Sequence, residues 1–267
     1  MFAVELKKML LRPRTWVIIA LLAGLPVLVA VLLRVTGIGP RPGEGPAFLA
    51  QVLGNGALFP AAALALILPI FLPIAVSVVA GESIAGENSL GTLRYLLVLP
   101  VGRTKLLIAK LMTVTVFVFM AVFIVAVVAY VVGASLFGIK PLPGVSGAAI
   151  AAEDATWRTV VTVIYVAVSM LGVAAAALLF STFTDSPLAA VFGALAVLVT
   201  SQVLDLLEAG RAVHPYLLTH YWLAFIDLFR FPVLWRDVVR GFLLQGVYIA
   251  LLLGAAWANF TTKDITS

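Results

Sequence analysis

Six long apolar runs, at 16–33, 57–80, 106–132, 159–183, 188–204 and 241–260, take up most of the chain. A helix needs about 20 mostly apolar residues to cross the hydrocarbon core of a bilayer, and each run meets or approaches that length. The fifth is the shortest. Inside lipid the backbone must satisfy its own hydrogen bonds, so the runs are predicted to be helices; the period-two alternation of a membrane barrel is absent. Composition agrees: 63% of residues are hydrophobic and 11% charged, where a soluble domain carries roughly a quarter charged. The fold expected is an all-α integral membrane domain spanning 1–267, since no polar block is long enough for a second folded unit. There is no cysteine, which excludes disulfides, thiolate metal sites and cysteine nucleophiles. The net charge of +5 comes without a long basic run, and reads as anchoring to lipid headgroups, not as nucleic-acid binding.

Sidedness follows from the cations. Lys7, Lys8, Arg12 and Arg14 precede the first run, and Arg94, Arg103, Lys105 and Lys110 lie between the second run and the body of the third. Excess Lys and Arg mark cytoplasmic loops, so both groups, and with six crossings both termini, are expected in the cytoplasm. The first and third external loops then carry Arg34, Arg41, Lys140 and Arg158. The last carries Arg211, Arg230, Arg236 and Arg240, offset in part by Glu208, Asp227 and Asp237. The apolar run after Trp16 is too long for a cleavable signal, and no small-x-small site follows it, so it is expected to remain as the first crossing.

Ahead of that crossing, MFAVELKKMLLRPR places Phe2, Leu6, Met9 and Leu10 on one helical face and Glu5, Lys8 and Arg12 on another. Such a helix is expected to lie in the inner headgroup layer, as an anchor or as a contact for a cytoplasmic partner. The second run contains Pro60, Pro69 and Pro73; each removes a helical donor and favours a kink.

The stretch GENSLGTLRYLLVLPVGRTKLLIAK, residues 86–110, interrupts the apolar pattern most sharply. Leu90, Leu93, Leu96 and Leu97 recur at helical spacing, with Glu87, Gly91 and Arg94 together on another side. Gly91 would cost roughly 1 kcal/mol against alanine inside a helix, to be offset by a close approach or a bend. Pro100 disfavours helix at Leu99, and Gly102 is a weak cap for the next helix. Arg103 and Lys105 would then oppose that helix's dipole by a few tenths to about 1 kcal/mol, so lipid phosphates or carboxylates of a docked protein are expected to compensate. Lys110 lies on the side of Arg103 and can snorkel toward headgroups. These features predict a helix–break–helix over 82–105 at the cytoplasmic surface; an ordinary cation-rich loop is the plainer alternative.

The pattern Glu87-x-x-x-Gly91-Thr92-Leu93, then Pro100, Arg103 and Lys110, with Glu82-x-Ile84-Ala85-Gly86-Glu87 upstream, resembles the signature of ABC-type-2 permeases. Gly102 stands where that family often has a small polar cap. The resemblance implies a membrane subunit with six crossings, an amphipathic N-terminal helix and a half-inserted external segment before the last crossing. It also implies that Glu82, Glu87, Gly91, Thr92, Arg94, Pro100, Arg103 and Lys110 belong to a coupling element docking on a separate ATPase. Two copies of that ATPase would carry ATP and Mg, and a second permease chain, identical or paralogous, would complete the assembly. The chain has no Gly-x-x-x-x-Gly-Lys-Ser/Thr phosphate loop of its own, so no cofactor is expected in it.

Three smaller patterns remain. Ser201, Asp205 and Glu208, at i, i+4 and i+7, end the fifth run; acids in a membrane helix are costly and often functional, though Gly210 marks a helix end. Asp205 and Glu208 are therefore either a solvated terminus or an outer gate. In HPYLLTHYWLAFIDLFRFPVLWRDVVR, residues 214–240, Leu218, Trp222, Phe225 and Phe229 form one helical stripe, suited to the outer headgroup layer and similar to the family's re-entrant helices. His214 and His220 are too few for zinc unless acids join them. Ser77, Ser169 and Ser181 have no histidine near in sequence and are expected to bond back to their own helices, and the small residues of 171–180 suit close packing. Two rival readings stand beside the permease: a non-transporting membrane anchor or sensor for an ATPase, and a polytopic membrane enzyme, which would need a convergent polar cluster deep in the membrane.

Overall fold

The computed structural model describes residues 1–36, 56–89, 91, 102–139, 142–143, 149–150, 152–230 and 232–262. Its helices, in chain order, are α1 (Phe2–Leu11), α2 (Pro13–Thr36), α3 (Phe59–Ile67), α4 (Phe71–Ser89), α5 (Arg103–Phe137), α6 (Ala152–Phe183), α7 (Pro187–Leu206) and α8 (Trp235–Thr262). A short antiparallel pair, β1 (Leu142–Pro143) with β2 (Ala149–Ile150), precedes α6. Helices α2, α5, α6, α7 and α8 are each long and apolar enough to cross a membrane. Residues Gly56–Ile67 and α4 qualify only together, as a pair bent by 60°. The six expected runs are thus five unbroken helices and one broken one.

The break has a local cause. Pro69 lies in the turn between α3 and α4, and Pro73 in the first turn of α4. Pro73 has no N–H to give the carbonyl of Pro69, four residues earlier. Gln202 of α7 supplies the missing donor, its Nε2 lying 2.8 Å from that carbonyl. The kink expected from the prolines is therefore pinned by a polar side chain from another helix, as lipid surroundings demand of a freed carbonyl. The start of α7 follows capping rules: Pro187 opens it behind Ser186, whose Oγ accepts from the Ala189 N–H.

Long-range bonds show how the helices alternate. Arg14 at the start of α2 pairs with Glu82 near the end of α4, and Asn88 of α4 bonds Asp185 just before α7. Arg103 at the start of α5 meets the end of α8, and Asn259 of α8 bonds Thr182 at the end of α6. These termini share one end of the bundle, called here the basal end, with α1 beside them. At the other, distal end, the Gly56 N–H donates to the Gly138 carbonyl at 2.9 Å.

Helix α6 is the most enclosed of the five unbroken crossings and packs on α4, α7 and α8. Ala174, Ala175, Ala176 and Ala177 are all buried, as the small-residue run predicts; lipid provides no hydrophobic drive between helices, so close backbone packing must hold them. Gly56 and Gly133 meet so closely that a Cβ on Gly56 would stand 2.0 Å from the Gly133 carbonyl oxygen. Leu21, Leu28, Phe192, Leu243 and Leu251 point outward from α2, α7 and α8.

Candidate functional site

At the basal end the last turns of α4 are fastened from five sides. Glu87, 4% exposed, lies 2.5 Å from Lys8 Nζ of α1 and 2.7 Å from Lys110 Nζ of α5. Lys110 also approaches Glu5 of α1 at 3.4 Å. One turn back, Glu82 pairs with Arg14 of α2. The hydroxyl of Ser181, in α6, donates to the Gly81 carbonyl at 2.6 Å and accepts from the Ala85 N–H at 2.8 Å. It therefore sits against an i, i+4 pair of the α4 ladder. On the fifth side α7 packs against Gly81, where a Cβ would be 3.0 Å from a Val191 methyl. Alternating charges in this order, Glu5–Lys110–Glu87–Lys8, satisfy one another, with Glu87 and Lys110 buried and Lys8 exposed. Charges buried this way persist only when paired, and charge-assisted bonds at these lengths are the strong ones.

This arrangement corrects several expectations. Lys110 does not snorkel: it is 2% exposed and held by two carboxylates. Arg103 has a compensating partner inside the chain, donating to the carbonyls of Phe260 and Thr261 at 3.4 and 3.0 Å. A cation at the start of α5 thus meets the negative end of α8. Trp257 reinforces the contact, its Nε1 donating to Thr104 Oγ1 at 3.0 Å. Gly102 does cap α5, accepting from the Lys105 N–H at 2.9 Å. Helix α4 stops at Ser89, so Gly91 is not in a helix interior; its φ of +67° is the left-handed turn that glycine adopts freely. Thr92, Arg94 and Pro100, with the apolar repeat at 90, 93, 96 and 97, lie outside the described residues, as do Arg41 and Lys140. Ser181 bonds across to α4 and not within its own helix, whereas Ser169 does bond back, to the Tyr165 carbonyl at 3.0 Å.

At the distal end, α7 finishes at Leu206, so Glu208 falls in a 3-10 turn and off the face shared by Ser201 and Asp205. Asp205 lies 2.6 Å from His220 Nδ1 and 3.9 Å from His214. Glu208 is exposed and makes no ion pair among the described residues. No group of three or more His, Asp and Glu among the described residues is arranged to hold a metal.

The aromatic segment departs furthest from its expected form. Among 208–234 the described residues run through turns and the 3-10 pieces Glu208–Gly210, His214–Tyr216 and Ala224–Phe229, with no α-helix among them. Leu218, Trp222, Phe225 and Phe229 are buried in the protein and do not face headgroups. Helical side chains hold the segment by its backbone. Gln245 donates to the Leu218 carbonyl at 2.7 Å, Tyr165 to Tyr221 at 2.6 Å and Tyr248 to Tyr216 at 2.7 Å. Arg158 donates to the carbonyls of Leu228 and Arg230 at 2.7 and 3.2 Å. Arg158 is thus a buried residue of α6, not a loop cation that reports sidedness. Burial pushes the Asp227 carboxyl up from its ordinary range, against the pull of Arg230 at 2.9 Å and with the push of Asp237.

The bundle of apolar crossings, with a paired-charge cluster at one end and an irregular segment at the other, defines a multi-pass membrane protein. Residues 1–197 match the family model described as ABC-2 family transporter protein, which is 197 of 267 residues; the chain belongs to that family. Membrane subunits of the family generally work with an ABC ATPase. No curated protein matches the chain.

Proposed function

We propose that this permease couples ATP hydrolysis on a separate ABC ATPase to export across the cytoplasmic membrane, with 82–105 as the element the ATPase moves. One observation carries the reading: Glu87, at the exit of α4 into that element, is joined through Lys110 to α5, where the element ends, and through Lys8 to α1. A push on the element is therefore passed to both flanking crossings, and along α4 to the Pro69 break, instead of being absorbed by a loop. In this reading the basal end and both termini face the cytoplasm, and α1 rests in the inner headgroup layer. The segment 208–234 is re-entrant from outside, with Asp205 at its outer margin. The single permease domain pairs with a second permease chain, two ATPases carry ATP and Mg, and Glu82, Glu87, Gly91, Thr92, Arg94, Pro100, Arg103 and Lys110 form or shape the docking element.

The chain's lack of cysteine makes the test direct. Single cysteines at Ser89 and Lys105, both exposed, are expected to cross-link to the co-purified ATPase, and one at Val213 is not. A complex that co-purifies yet cross-links at neither basal site would refute the docking assignment. ATP-dependent uptake into inverted vesicles separates export from anchoring.

A further inference from the structure

A cavity of about 760 Å³ opens at the basal end between α1, α2, α4 and α5, within the range of about 300–1,000 Å³ typical of small-molecule sites. Its walls are of two kinds. Met9, Ile18, Val79 and Val114 make an apolar side, and the α1–α2 corner contributes Lys8, Arg12 and Arg14. Three cations that line it already have carboxylates: Lys8 with Glu87, Arg14 with Glu82, and Lys110 with Glu87 and Glu5. Arg12 differs. Glu82 feels its charge, but its guanidinium makes no hydrogen bond or ion pair among the described residues. The Ser83 hydroxyl, on the same lining, is buried without a hydrogen-bond partner among the described residues. An unfilled guanidinium fork and an unfilled hydroxyl thus share one cavity with an apolar wall.

We propose that this cavity binds an anionic phospholipid of the adjoining leaflet. The phosphate takes the Arg12 fork, which matches phosphate geometry; the other lining cations are balanced by Glu5, Glu82 and Glu87. The glycerol oxygens reach Ser83, and the first methylenes lie against Met9, Ile18 and Val114. A free phosphate would satisfy the cation but leave the apolar wall wet; a zwitterionic lipid would cover the wall but bring its own cation to Arg12. The proposal needs only that the chain sits in a membrane, so it stands or falls separately from ATPase docking. It does place a lipid against the residues that hold Glu87 and Glu82.

The test is native mass spectrometry of the purified full chain with phosphatidylglycerol, with phosphatidylcholine of the same acyl chains, and with inorganic phosphate. Phosphatidylglycerol is expected to bind about five- to tenfold more tightly than phosphatidylcholine, the attraction of roughly one cation at a lipid surface. Arg12→Gln is expected to remove that preference, Arg12→Lys to keep most of it, and Val79→Phe, which puts a bulky ring on the apolar wall, to weaken phosphatidylglycerol binding. Arg34→Gln, at the distal end of α2, leaves it unchanged. Equal binding of the two lipids, Arg12→Gln indistinguishable from wild type, or inorganic phosphate competing as well as the lipid would each overturn the proposal.

Discussion

Glu87 and Lys110 show how much one pair can constrain. Both are buried, so removing either takes away the other's buried partner and leaves it only its partner on α1, Lys8 for Glu87 and Glu5 for Lys110. Lys110→Met is expected to lower stability by about 3 kcal/mol, as for other broken buried pairs. The double variant Glu87→Gln/Lys110→Met is expected to cost less than the sum of its singles; thermal melts in detergent measure both, and strict additivity would argue that the two side chains do not interact. A second residue-scale test lies at Gly241, where a Cβ would stand 1.9 Å from the Tyr165 hydroxyl. Gly241→Ala is expected to destabilise by about 1–3 kcal/mol through overpacking, and less in a Tyr165→Phe background, where the crowding oxygen is gone. Neither pairing was legible in the sequence. Glu87 and Lys8 are 79 residues apart and Lys110 and Glu5 are 105 apart. Charges flanking an interrupted apolar run look like display until their partners on α1 are placed. Arg158 misled for a related reason: standing at the edge of an apolar run, it reads as a loop cation, yet its targets are carbonyls 70 and 72 positions away.

Among the elements, the crossings were the most legible, because apolar length alone defines them: each expected run lies within a helix or within the broken pair. Helix ends were less so. Helix α5, for instance, starts at Arg103, ahead of its run, and α8 extends to Thr262, past its run. The proline kink was legible as a bend, but not the side chain that secures it. Gln202 in an apolar helix was the available signal. Gln202→Leu is expected to cost about 1–2 kcal/mol by stranding the Pro69 carbonyl. In a Pro73→Ala background the restored N–H can serve that carbonyl, so the same substitution should then be nearly neutral. Equal costs in both backgrounds, read from denaturation midpoints, would show that Gln202 acts elsewhere. The 208–234 segment escaped because an aromatic stripe at helical spacing was read as helix, whereas two prolines and externally supplied donors favour turns.

For the whole molecule, the alternation of helices fixes which termini lie together but not which side of the membrane they face. That is tested by labelling single cysteines in the otherwise cysteine-free chain. A membrane-impermeant maleimide on intact cells is expected to modify Val213→Cys, and Lys7→Cys only after permeabilisation; the opposite pattern would invert the proposed orientation. The distal segment has one more implication. Four helical side chains, Arg158, Tyr165, Gln245 and Tyr248, grip it through main-chain oxygens, an atom every amino acid carries. A grip of that kind is indifferent to the identity of the residue gripped. Outward-pointing positions such as Tyr216 and Leu223 are therefore open to wholesale replacement in a mutational library, while the four gripping positions, scattered over two helices, should tolerate almost none.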